Sequence, residues 1–222
     1  MPKVNAAYFE NKRNTILDAV ENICKVKPLY KLTMKDIIEA AGLSTGAVYA
    51  AFSDIDEVLI AFFNRFRKNL DFAGDTGEIL QSQNPPEGKL QMLFRYFLEH
   101  ARTTVESYGK INYEMSAVIT DVHRRKKILA GIQEKQHYAY GINVAIELIE
   151  DNLANGYFKA SVSKESIYVL IISFFDGIMR DLTLTKCYGI DLLPNTSFEE
   201  IDLAEALSTA VLSLLSINRE GF

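Results

Sequence analysis

Along almost the whole chain, apolar residues recur every three or four positions, a pattern that predicts an all-helical protein. Ile16, Ala19, Val20 and Ile23 mark one face of a first helix from about Tyr8 to Lys25, stopped by Pro28. Thr33 to Phe52 reads as two short helices joined by a turn, the outline of a helix-turn-helix. Thr33 is an N-cap with Asp36 three residues on, and Ile37, Ile38, Ala41 and Leu43 are apolar at helical spacing. Gly42 stands where a helix end takes a left-handed residue. Ser44 caps the next helix, which turns Val48, Ala51 and Phe52 inward. A fourth helix follows Ser53-Asp54, carries Val58, Leu59, Phe62, Phe63 and Phe66, and runs as far as Phe72.

Gly74, Asp75 and Gly77, then Gln81 to Pro86, are turn and linker residues, with a short helical piece at Glu78 to Leu80. A domain boundary is expected near Asn69 to Gly77, giving residues 1–68 and 69–222. Leu90, Leu93, Phe94, Phe97, Leu98 and Ala101 then make an amphipathic helix. Ile111 to Ile119 is a shorter one, and a single long helix is expected from Val122 to about Asn152. Another starts near Ser163. The last begins at the capping box Ser197 to Glu200 and continues through Leu215.

The formal charge of the 222 residues is −5, which by itself does not suggest a nucleic-acid binder. Its distribution changes that picture. Residues 1–68 hold 10 Lys and Arg against 8 Asp and Glu, a net of +2, leaving 14 against 21, a net of −7, for the rest. Cys24 and Cys187 lie in apolar patterns and are expected as two buried thiols in a reducing compartment. No signal-peptide core precedes the first helix, and Ile167 to Phe175 is too short to cross a bilayer, so a soluble, cytoplasmic protein is expected.

The order of these parts resembles the TetR family of bacterial transcriptional regulators. The resemblance rests on Ile16 to Val20, Thr33 to Ile37, Ala41 to Ser44, Gly46 to Phe52 and Asp56 to Leu59, covering roughly residues 10–62. Asp176-Gly177 within an apolar helix also looks like a feature of the family's dimer helix. The resemblance implies a three-helix DNA-binding head on a larger helical body, a homodimer, and double-stranded DNA as partner. It also implies a small, mostly hydrophobic effector held in the body.

In a helix-turn-helix the second helix enters the major groove. Ser44 and Thr45 can touch base edges, and Gly46 permits close approach. Tyr49, Lys35, Thr33 and the backbone N–H groups opening the second, third and fourth helices can reach phosphate oxygens. Ser44 to Ala51 contains no Lys or Arg, however, and the family often has basic residues where this chain has Thr45 and Ile55. Lys12 and Arg13, with Lys3, are the candidates to compensate. The bland alternatives are a solvated Lys35 and a Tyr49 packed on Phe52.

For the body, Tyr96, Phe97, His100, Tyr113, Met115, Tyr138, Phe174, Phe175 and Met179 are candidates to line an effector pocket. Asp176, Gly177, Leu207, Val211 and Leu214, on the last two helices, are candidates for the dimer face. The three histidines have no metal-ligand spacing, and no catalytic motif is present, so no metal, cofactor or catalytic residue is expected. The reading is a ligand-responsive regulator. The uncharged second helix motivates an alternative, a ligand- or partner-binding dimer whose head does not read DNA.

Overall fold

The computed structural model describes residues 6–67, 72–132, 136–190 and 202–218. These form eleven α-helices and two three-residue strands, so the all-helical expectation is met. The helices are α1 (Ala6–Cys24), α2 (Met34–Ala41), α3 (Thr45–Ala51), α4 (Ile55–Arg67), α5 (Phe72–Gln81), α6 (Pro86–Thr104), α7 (Lys110–Ile119), α8 (Val122–Gly131), α9 (Gln136–Ala154), α10 (Lys164–Tyr188) and α11 (Leu203–Leu214). The strands β1 (Phe158–Ala160) and β2 (Leu215–Ile217) pair antiparallel, with Lys159 opposite Ser216.

Two compact units result. The first takes Met1–Asn69 and also Ile111–Lys135, a stretch the sequence reading assigned to the body. Its core joins Ile16, Val20, Val48 and Phe52 of the head to Met115 of α7 and Ile128 of α8. The second takes Leu70–Lys110 and Gln136–Phe222, around Phe94, Ile149, Ile171, Phe175, Leu207 and Val211. The division sharpens the charge asymmetry. The first unit holds 15 Lys and Arg against 11 Asp and Glu, a net of +4, leaving 9 against 18, a net of −9, in the second.

Several local expectations are corrected. The long helix from Val122 to Asn152 is two helices, because α8 stops at Gly131 and Ile132 is extended. Gly131 lies so close to α4 that a Cβ on it would come within 2.7 Å of Ile60 Cδ1. Its carbonyl, orphaned at the helix end, accepts a hydrogen bond from Asn64 Nδ2 at 3.0 Å. The turn expected at Gly74 to Gly77 is instead part of α5, where Thr76 is buried and Tyr96 Oη donates to Asp75 Oδ2 at 2.6 Å. Tertiary contacts there override the poor helix propensity of two glycines. A π-turn at Val105–Gly109 joins α6 to α7. A Cβ at Gly109 would lie 2.8 Å from Thr183 Oγ1, so this close approach requires glycine. The final helix ends at Leu214, and Leu215 opens β2. The capping box at Ser197 lies outside the described residues, and α11 opens instead at Asp202, whose carboxylate accepts from Glu205 N.

Candidate nucleic-acid interface

The helix-turn-helix is built by reciprocal caps. Thr33 Oγ1 accepts from Asp36 N at 3.3 Å, and Asp36 Oδ2 accepts from Thr33 N at 2.9 Å. Lys27 Nζ adds a salt bridge to Asp36 at 2.5 Å. The Lys27 ammonium, followed by the Thr33 hydroxyl, holds the Asp36 carboxyl at about 2, below its ordinary 3.8. Its contribution to stability is therefore fully present above about pH 4 and is lost as pH falls towards 2. Asp36→Asn is expected to lower the melting temperature at pH 7, and the gap from the parent should close as the pH approaches 2. A gap that persists there in thermal melts contradicts this assignment.

Gly42 ends α2 in the left-handed conformation at φ 62°. Ser44 Oγ then accepts from Ala47 N at 3.3 Å and opens α3. Val48 and Phe52 anchor α3 in the core. Arg13 of α1 clamps its far end, with Nη1 donating to Ala51 O at 2.5 Å and the guanidinium 4.0 Å above the Phe52 ring. The outward side of α3 is Thr45, Gly46, Tyr49 and Ala50, all exposed. Tyr49 is 48% exposed, so a large part of its surface is open to solvent. Gly46 has an ordinary helical φ, and a Cβ on it would meet nothing within 4 Å. Neither conformation nor internal packing requires a glycine at this position.

Other expected phosphate contacts are differently placed. Lys35 is exposed, with Glu39 at 3.8 Å, and Lys12 lies 4.5 Å from the centre of the Tyr8 ring. Arg13 braces α3, a partner the sequence reading did not foresee. The opening of α4 is occupied by the chain's own carboxylates. Asp54 Oδ1 accepts from Asp56 N and Glu57 N, each at 3.0 Å, and Glu57 Oε2 accepts from Ser53 N at 2.8 Å. These backbone N–H groups are therefore not available to phosphate as expected.

What the sequence reading missed is the contribution of α7 and α8. Glu114 of α7, 5% exposed, accepts from the buried Leu29 N at 2.5 Å. Arg124 of α8 donates to Asp56 Oδ1 from Nε at 2.8 Å and from Nη2 at 2.5 Å. Lys127 Nζ lies 2.5 Å from Asp54 Oδ2 and lowers the pKa of that carboxyl. The basic run His123 to Lys127 was visible in the sequence, but nothing in its spacing tied it to residues 54–56.

The proposed pocket residues separate. Tyr96, Phe97, Phe174, Phe175 and Met179 all belong to the second unit's core cluster, where the Phe97 and Phe175 ring centres are 6.2 Å apart. His100 joins them through Tyr96, at 4.7 Å between ring centres. Met115 is instead buried in the first unit's core, and Tyr113, on the same helix, is 40% exposed. Tyr138 lies in α9, its side chain outside those described. Of the proposed dimer residues, Leu207 and Val211 are 1% and 0% exposed within the single chain and are core, not partner-facing. Leu214 is partly buried against the same cluster. Asp176 is exposed, and Gly177 is open to a Cβ.

Residues 16–62 match the family described as "Bacterial regulatory proteins, tetR family". Over 184 residues the chain is 21% identical to the HTH-type transcriptional regulator YfiR of Bacillus subtilis (strain 168), covering 81% of this chain and 84% of that one. Among solved structures it is similar to NalD, the secondary repressor of the MexAB-OprM multidrug efflux pump in Pseudomonas aeruginosa, with a TM-score of 0.58 and 18% identity over 95% of this chain and 99% of that one. It is likewise similar to FadR of Bacillus subtilis in complex with stearoyl-CoA, with a TM-score of 0.54 and 17% identity over 90% and 96% of the two chains. The matched segment, from α1 into α4, is a helix-turn-helix head of the tetR family of bacterial regulatory proteins, and the helical architecture that follows it is shared with these solved structures.

Proposed function

We propose that the chain represses transcription as a cytoplasmic homodimer, placing one α3 in the major groove of each half of a palindromic operator. A small, largely apolar molecule bound in the second unit releases it, and no catalysis is involved. The observation that carries this reading is the outward side of α3. Thr45, Gly46 and Tyr49 are exposed on a helix capped by Ser44 and braced by Arg13, and the chain's own packing does not require the glycine. The aromatic cluster around Phe175 supports a largely apolar effector, in keeping with the stearoyl chain of the stearoyl-CoA in the FadR complex. The chain passes between its two units at 69/70, 110/111 and 135/136, so a change around the effector has three covalent routes to the head. A coupling of about 1–3 kcal/mol would alter operator affinity roughly 5- to 150-fold.

The exposed residues of the last two long helices suit a second copy: Val169, Ile172 and Asp176 on α10, and Ala206, Thr209 and Ser213 on α11. The absence of Lys and Arg from Ser44 to Ala51 favours a second reading, a ligand- or partner-binding dimer with a head that does not read DNA. Gel retention of the DNA upstream of its own gene separates the two. Sequence-specific retention is expected, and none at low salt would favour the second reading.

A further inference from the structure

We propose that the first turns of α8 form part of the DNA-contacting surface, with Arg125 and Lys126 neutralising phosphates and so supplying charge that α3 lacks. This rests on the operator-binding reading above. Four observations converge on it.

Residues 111–135 pack in the same unit as the helix-turn-helix and raise its net charge from +2 to +4. The contacts of α8 with α4 also fix its direction. Arg124 meets Asp56 and Lys127 meets Asp54, whereas Gly131 meets Ile60 and Asn64. The two helices therefore run the same way, and the first turns of α8 lie beside the end of α4 that directly follows α3.

Arg124, Ile128 and Gly131 form the inward side of α8, and His123, Arg125, Lys126 and Lys127 are exposed. Arg125 Nε donates to Ile119 O at 3.0 Å and its Nη2 to Thr120 O at 3.5 Å, an anchorage that uses only part of a five-donor guanidinium. Finally, Asp54, Asp56 and Glu57 would place three carboxylates just past the recognition helix, where they would repel phosphate. The ion pairs from Arg124 and Lys127 offset two of them.

The test compares wild type with an Arg125→Gln, Lys126→Gln double variant, both as full-length chains. Affinity is measured against salt concentration on a labelled duplex from upstream of the gene and on a scrambled duplex of the same composition. Each phosphate neutralised contributes about 0.9 to the slope of log affinity on log salt, so the double variant is expected to lose up to about 1.8. Both duplexes should be affected alike, because phosphate contacts carry no sequence information. Lys159→Gln, an exposed charge in the second unit, should leave the slope unchanged. A wild-type slope in the double variant, or an equal loss per charge in Lys159→Gln, overturns the inference while leaving operator binding intact. Failure of wild type to bind either duplex overturns the operator reading as well.

Discussion

Gly46→Glu should abolish operator binding while leaving the fold as stable as before, or more so. A side chain at Gly46 meets nothing within 4 Å, and glycine inside a helix costs about 1 kcal/mol relative to alanine. An acidic residue in the first turn of α3 also suits the helix dipole. Against duplex DNA the same carboxylate faces the phosphates and blocks close approach. Like charges brought together at an interface cost several kcal/mol, so affinity should fall by on the order of 100-fold or more. Thermal melting and fluorescence anisotropy on one preparation read both quantities. Operator affinity unchanged by Gly46→Glu would mean that this side of α3 does not meet DNA.

The second large effect is expected at Glu114. Its carboxylate on α7 accepts the Leu29 N–H in a part of the core with almost no access to water. Glu114→Ala leaves that N–H buried without its acceptor, a loss of about 1–3 kcal/mol. Glu114→Gln keeps an acceptor oxygen and should recover most of the difference. Urea denaturation of the two variants and the parent gives the comparison. Equal midpoints for Glu114→Ala and wild type would show that the contact does not secure α7 to the head.

The head was legible in the sequence because its signals are local. The Thr33 and Asp36 caps, the left-handed Gly42 and the Ser44 cap each involve residues within a few positions of one another, and each appears as expected. What could not be read depends on distant partners. Nothing near Gly131 in the chain announces Ile60 and Asn64, which end α8 there. Nothing near Glu114 points to Leu29, 85 residues away. The dimer expectation failed at Leu207 and Val211 for a related reason. An apolar stripe on a helix says that one side is buried, and the monomer's own core had first claim on it. The exposed residues of α10 and α11 recur at the same three- and four-residue spacing, but they include Asp176, Thr209 and Ser213, so no apolar stripe marks them.

Selection of bound duplexes from a randomised pool tests most directly the claim that two copies of α3 read DNA. An inverted repeat should be enriched, its two half-sites spaced by about one helical turn or a multiple of it. The enrichment should vanish when the selection is repeated with Gly46→Glu. A pool that stays random at low salt, or one enriched only for a single unpaired site, would contradict it.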